Sequence, residues 1–394
     1  MKKVLRSLVI GMSTAILLPV WIQAQELTNT AGRMMEAEKK LSIGGYGQID
    51  YNQLLDNGSY NNGVLDVHRL VLMFGYKFNS KTQFITEIEV EHVKEVFVEQ
   101  AFLQYEILSW LKLRGGLMLI PMGIINEYHE PSTFNGVERP NLDKYIVPTT
   151  WREIGAGFTG TFPSAALSYQ LYLVNGFNGY NEEPTLSGSN GFRKGRQKGA
   201  ESIINSPNLT FKVNYFGVSG LQLGLSGYTG KTQSTLFGAL DKSDIPSVLT
   251  ADSSVVGLSM LGLDARYQLG GMQLRGQANL GMVSNSATYN EFTGSDLGSS
   301  IGGWYLEVSY DLLHQVESFE SGLIPFIRYE QYSTHVSTED PILQNPEFQR
   351  SDLTIGLGWK LAAGAMFKVD FQRFSNQGTG DTKKQFNAGV AVWF

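Results

Sequence analysis

From residue 41 to the last residue the chain repeats one pattern: about ten residues of alternating apolar and polar side chains, then turn residues. Leu70, Leu72, Phe74, Tyr76 and Phe78 alternate with Arg69, Val71, Met73 and Lys77, and Leu353, Ile355, Leu357 and Trp359 alternate with Asp352, Thr354, Gly356 and Lys360. Successive side chains of a strand point to opposite faces, so each segment presents one apolar face and one polar or small face. Sixteen segments fit, near 42–53, 65–78, 82–91, 96–107, 111–120, 152–162, 166–175, 207–216, 221–231, 255–268, 272–283, 302–312, 322–334, 351–361, 364–374 and 385–394.

A soluble β-sandwich alternates too, so the connections decide. Linkers after odd-numbered segments are mostly long, as at 121–151, 176–206, 232–254, 284–301 and 335–350. Those after even-numbered segments are short, apart from His314–Ser321. Bacterial outer-membrane barrels sort loop length by strand parity in this way, and a sandwich has no reason to. Closure also removes the edge strands that lipid cannot satisfy. The predicted fold is therefore all-β, a transmembrane antiparallel β-barrel of 16 strands over 42–394 with short periplasmic turns and long extracellular loops. Phe386, Ala388, Val390 and Val392 alternate up to Phe394, a terminal signature suited to the barrel assembly machinery.

Residues 1–24 read as a signal peptide: Lys2, Lys3 and Arg6, then an apolar run from Val9 to Val20 too short to span a bilayer, with cleavage expected before Gln25. Residues 25–41 form a short N-terminal periplasmic segment, in which Arg33 to Glu38 suits a brief helix acting as a plug or an oligomer contact, or else a frayed end. The expected location is the bacterial outer membrane, in contact with its lipid and lipopolysaccharide.

Composition agrees with this picture. Only 17% of residues are charged, against about 25% for soluble domains. Aromatics at 12% exclude a disordered chain, and zero cysteines exclude disulfide and Cys-metal chemistry. Acidic residues number 37 against 31 basic, which argues against nucleic acid as a partner. Loss of the three basic residues of the leader would leave 28 against 37, a mature charge of −9.

At sixteen strands the interior leaves an aqueous channel, so inward charges become candidates for selectivity. They are Arg69, Glu87, Glu89, Glu91, Lys112 and Arg114 on strands, with Arg139 and Lys144 from loop 121–151. That loop is the longest of the early connections. Pro121, Pro131, Pro140 and Pro148 restrict it, and Tyr128, Phe134, Tyr145 and Trp151 can pack. It is expected to fold into the barrel as a constriction, where Glu127, Glu130, Glu138 and Asp143 facing Arg139 and Lys144 set up a transverse field. A lid outside the lumen is the alternative. The basic run Arg193, Lys194, Arg196 and Lys198 suits lipopolysaccharide or anionic solutes, or is a solvated loop. The five histidines show no metal-ligand spacing, and no Gly-x-Ser-x-Gly elbow has a supporting context, so catalytic residues, metal and cofactor are all expected to be none.

The segments GGYGQIDYNQ (44–53), FVEQAFLQYE (97–106), LKLRGGLMLIPMGIINEYHEPSTFNGVERP (111–140), VPTTWREIGAGFTG (147–160), LYLVNGFNG (171–179) and FNAGVAVWF (386–394) resemble the phosphate-selective porin O/P family in its Bacteroidetes form. The resemblance implies a homotrimeric sixteen-stranded porin for anions. Phosphate selectivity needs a basic lumen, whereas the mature chain is acidic, three glutamates share one strand, and Arg152 has the parity of Ile154, which aims it outward. The reading is a non-enzymatic porin for passive diffusion of small hydrophilic solutes or ions, with anions such as phosphate as one option. An adhesin or binding barrel, or a barrel hydrolase, are the alternatives.

Overall fold

The computed structural model describes residues 29–55, 58–316, 321–380 and 382–394. The leader expected at 1–24 lies outside the described residues. Sixteen strands form one closed antiparallel barrel. In chain order they are β1 (Leu41–Leu55), β2 (Val64–Lys77), β3 (Thr82–Glu91), β4 (Glu95–Leu108), β5 (Leu111–Leu119), β6 (Arg152–Phe162), β7 (Leu167–Val174) and β8 (Asn208–Val218). They continue as β9 (Leu221–Lys231), β10 (Gly257–Leu269), β11 (Met272–Ser284), β12 (Ser300–Tyr310), β13 (Gly322–Ser337), β14 (Gln349–Ala362), β15 (Ala365–Asn376) and β16 (Thr382–Trp393). Each strand pairs with its chain neighbour, and β1 closes on β16 in the register Tyr46 to Trp393 through Leu55 to Lys384. The ladder extends to the last residue, where Phe394 and Gly45 exchange N–H···O bonds of 3.0 Å in both directions.

Alternation is what makes the wall. On β13, Ile327 and Tyr329 face outward and exposed while Arg328 and Glu330 are buried inside, and on β15 Phe367, Val369 and Phe371 face out while Lys368 and Asp370 face in. The outer belt of Leu, Ile, Val and Phe would be untenable in water and is what a bilayer requires. Short turns gather at one rim. Gly220 (φ 73°) and Gly364 (φ 80°) end two of them in the left-handed region, and a Cβ there would lie 2.1 Å from the Gln268 and Trp393 carbonyl oxygens. No other residue fits those turns without moving a strand.

Long connections fill the opposite rim and the interior. A three-stranded sheet (Asn178–Asn181, Glu183–Pro184, Gln233–Ser234) and the helices α3 (Ile245–Ser253) and α4 (Ser286–Thr293) roof one side. Two further helices precede these in the chain: α1 (Thr30–Glu36), capped by the Asn29 side chain, and the single turn α2 (Leu142–Tyr145). The hydrophobic core of the molecule lies inside the barrel. Tyr46, Val71, Met73, Ile85 and Phe102 line the inner wall of β1 to β4 and pack with Ala31 and Met34 of α1 and Ile120, Met122 and Ile124 of the following loop. One flank of the lumen is therefore a dry, packed interface, which a reading of all inward faces as water-lined did not foresee.

Candidate pore and vestibule

Residues 120–151 leave β5 and cross the barrel interior. Facing them are the inward charges of the far wall. Lys212 on β8 donates to the Gly123 carbonyl at 2.8 Å and pairs with Glu127 at 2.8 Å. Arg275 on β11 donates to the Thr133 carbonyl, and Gln277 accepts from the Ile124 N–H at 2.7 Å while donating to Asp143 at 2.9 Å. Glu307, Glu330 and Asp352, on β12 to β14, accept from Asn135, the Leu142 N–H and Asn141 at 2.8–2.9 Å. On β15, Lys368 donates to the carbonyls of Pro131, Phe134 and Gly136, and Asp370 accepts from the Val137 N–H at 2.6 Å. Cations hold carbonyls and carboxylates hold N–H groups, which satisfies an irregular backbone that would otherwise be buried unpaired. Most inward charges of β8 to β15 thus hold the loop and do not line open water.

From the short-turn rim, α1 meets the loop. The Asn29 side chain donates to the Glu127 carbonyl at 3.0 Å, and the Thr30 N–H donates to Glu130 at 3.0 Å. Residues 29–36 of the segment expected to be periplasmic are thus tucked inside the barrel mouth. Two cavities of about 210 Å³ open beside it, one near Lys81, Gln100 and Arg114, the other near Arg33, Tyr128 and Arg275.

On the long-loop side of residues 120–151 lies a vestibule of about 550 Å³. Seven cationic side chains line it (Arg69, Arg139, Lys144, Arg152, Arg193, Arg196 and Lys198) against four acidic ones, Glu89, Glu91, Glu138 and Asp143. Arg193 donates to the Thr149 carbonyl at 2.7 Å, and Arg196 to the Pro148 and Thr150 carbonyls at 3.2 and 3.1 Å. The basic run 193–198 is therefore tied to the end of the lumen loop, with Lys194 alone among its cations exposed and the others half-buried. Arg152 and Lys198 both stand over the Phe97 ring, at 5.7 and 4.8 Å. Burial, then the like charges of Arg193 and Arg152, pushes Arg196 down to about 9, and burial and the neighbouring cations also lower Lys198.

Of the residues singled out from sequence, Arg69, Glu89, Glu91, Arg139 and Lys144 meet around this vestibule. Arg69 is buried and 3.6 Å from Glu89. Glu87 sits away from the vestibule, beneath the loop against His129. Lys112 and Arg114 lie at the other end, where Arg114 donates to Gln104 at 2.8 Å and stacks over Phe102. The outward aim read for Arg152 is wrong. It is the first residue of β6, paired with Leu119 at the end of β5, and its side chain turns back into the lumen, 3% exposed and 3.7 Å from Glu99. Strand parity fails at a strand's first residue because the chain there still follows the loop. Arg193, Arg196, Lys198 and Glu99 were not among the candidates, and only the basic run gave any signal in the sequence.

No protein-family model matches the chain. An uncharacterized protein of Aquifex aeolicus is 31% identical over 351 residues, covering 87% of this chain and 78% of that one. Among solved structures, the outer membrane channel DcaP of Acinetobacter baumannii superposes with a TM-score of 0.60 at 11% identity, covering 90% of this chain and 97% of its own. The anion-selective porin from Comamonas acidovorans does so at 0.53 and 12% identity, covering 90% and 99%. These low identities establish a shared architecture. The chain belongs to the family of the Aquifex aeolicus protein, and its fold is that of the sixteen-stranded bacterial outer-membrane porins.

Proposed function

We propose that the protein is a passive diffusion porin whose outer vestibule favours small anions over cations. The observation that carries this reading is the crowding of Arg152, Arg193, Arg196 and Lys198 on one side of the vestibule, where burial and then the neighbouring cations lower Arg196 and Lys198. Cations packed closely enough to repel one another are stabilised by an arriving anion. Solutes would enter this vestibule, pass the edge of the 120–151 loop, which serves as the constriction, and leave by the cavities beside α1. The net negative charge of the chain does not oppose this, since far-wall carboxylates such as Asp264, Glu307 and Glu330 are paired with Lys212, Arg275 and Arg328. The similarity to an anion-selective porin points the same way. Phosphate is one anion of suitable size and charge.

Planar-bilayer recording under a potassium chloride gradient tests the proposal. The reversal potential is expected on the chloride side of zero, and a cation-selective or non-conducting barrel would overturn it. The same reading includes a homotrimer, measurable by light scattering in detergent. It also includes recognition of the C-terminal strand by the assembly machinery, for which the 61% exposed Phe394 side chain is available, and contact of the 176–206 loop with lipopolysaccharide.

A further inference from the structure

Beneath the lumen loop, three buried side chains from distant parts of the chain aim one ligand atom each at a common point: Glu87 of β3, Glu99 of β4 and His129 of the loop. A β-bulge puts Glu99 there. Glu87 pairs with Gln100 and Ile88 with Val98, so Glu99 is the extra residue and faces inward beside Gln100. His129 Nε2 lies 3.2 Å from Glu87 Oε1 and 3.1 Å from Glu99 Oε2. The Tyr46 hydroxyl closes the fourth side, 2.7 and 3.1 Å from the same two oxygens.

The second polar atoms of His129 and Glu87 are hydrogen-bonded, and that of Glu99 faces a guanidinium. The Asn126 carbonyl accepts from His129 Nδ1 at 3.3 Å, Gln100 donates to Glu87 Oε2 at 2.6 Å, and Arg152 stands 3.7 Å from Glu99 Oε1. Because the Asn126 carbonyl can only accept, the ring hydrogen sits on Nδ1. The Nε2 lone pair and two carboxylates then converge on one point, which must hold a positive species, a proton or a cation. Outer partners that fix ring tautomer and carboxylate orientation are what metal ligands carry. The His129 Nε2 lies 3.1–3.2 Å from each carboxylate oxygen, near the edge of about 3.3 Å in a tetrahedron with bonds near 2.0–2.1 Å, and all three ligand atoms lie within 4.8 Å of one another.

We propose that Glu87, Glu99 and His129 form a binding site for one divalent first-row transition metal, with the fourth position towards Tyr46. Imidazole with two carboxylates suits zinc or manganese better than calcium or magnesium. Binding exchanges one proton, from His129 Nε2 to solvent, for the metal. The bound ion ties the loop to β3 and β4, on the flank that the cationic anchors of β8 to β15 do not reach.

The test uses untagged full-length barrel in detergent, stripped with chelator, exposed to Zn²⁺ and passed through gel filtration. About one zinc per chain is expected to stay bound at neutral pH and to be lost on acidification, as a proton replaces it on His129. His129→Gln should abolish retention, and Gln100→Leu, which removes only an outer partner, should weaken it by about 10- to 100-fold. Heat-modifiable migration on gels reports whether each variant is folded. Wild type loaded with Co²⁺ needs no variant, and should show the visible absorption of four-coordinate cobalt bound by nitrogen and oxygen. Folded wild type that retains no zinc and shows no such spectrum would overturn the proposal, leaving His129 as an imidazolium clamp. Zinc retained equally by folded His129→Gln would also overturn it.

Discussion

Replacing Lys144 and Lys198 together by glutamine removes two of the seven vestibule cations while sparing the arginines that hold the loop. Each lysine stands over an aromatic ring, Tyr145 at 5.4 Å and Phe97 at 4.8 Å. A cavity of 550 Å³ corresponds to a sphere of radius about 5 Å. A unit charge at its wall interacts with an ion at its centre by about 0.8 kcal/mol in water. With a Debye length of about 10 Å at 0.1 M salt this falls to about 0.5 kcal/mol. The same charge repels a cation as it attracts an anion, so two charges change the local anion-to-cation ratio about 30-fold. At 1 M salt, where the Debye length is about 3 Å, the effect shrinks to about threefold. Reversal potentials in planar bilayers at both salt levels measure it. The double variant should lose much of its anion preference at low salt and little at high salt, with open-channel conductance retained. A shift of equal size at both ionic strengths would refute the electrostatic argument, and no shift at either would show that ions bypass this vestibule.

Three further outcomes follow from the geometry. Because burial lowers Lys198, its charge and its share of anion preference should fade as pH rises through a range below the usual lysine value of about 10.4, and Lys198→Gln should flatten that part of the pH profile of reversal potential. Lys368→Met deletes the donor to three loop carbonyls; at about 1.5–3 kcal/mol for each hydrogen bond to a charged group, it should loosen the loop, seen as noisier single-channel current and faster proteolysis after residue 131. Trp151→Ala removes a fully buried ring stacked on Phe177 at 4.6 Å and tilted against Tyr228 at 4.7 Å, so the midpoint of heat-modifiability should fall, consistent with a cost of about 3–5 kcal/mol.

The wall of the barrel was legible in the sequence because a strand's two faces meet different media along its whole length. β3, β6 and β9 begin and end where alternation and turn residues place them, at 82–91, 152–162 and 221–231. The interior was less legible, since what fills it comes from loops whose partners lie far along the chain. Lys368 and the Phe134 carbonyl are 234 residues apart, and nothing local to either predicts the other. Glu99 joined the group beneath the loop through a one-residue bulge that hydrophobic periodicity cannot show. One signal was present: Val71 and Met73 are apolar at inward parity on β2, and an apolar pair inside a barrel requires something dry against it. In the structure that is Met34 and the wall around Tyr46.

Net charge was the weakest guide to function, and the reason is structural. A carboxylate paired with a guanidinium, as Glu307 is with Arg275 and Arg328 at 3.8 and 3.4 Å and Glu330 with Arg328 at 3.5 Å, is neutralised over a few ångströms and projects little field into the path of a solute. A guanidinium held by carbonyl oxygens, as Arg193 and Arg196 are, is fixed in place by dipoles and keeps its whole charge. Charge used in holding the loop from the far wall is thus of both signs and largely cancels there, while the charge left facing the vestibule is mainly basic. Under the proposed function selectivity would follow the second population, so a chain with an excess of acidic residues can present a basic entrance to its pore.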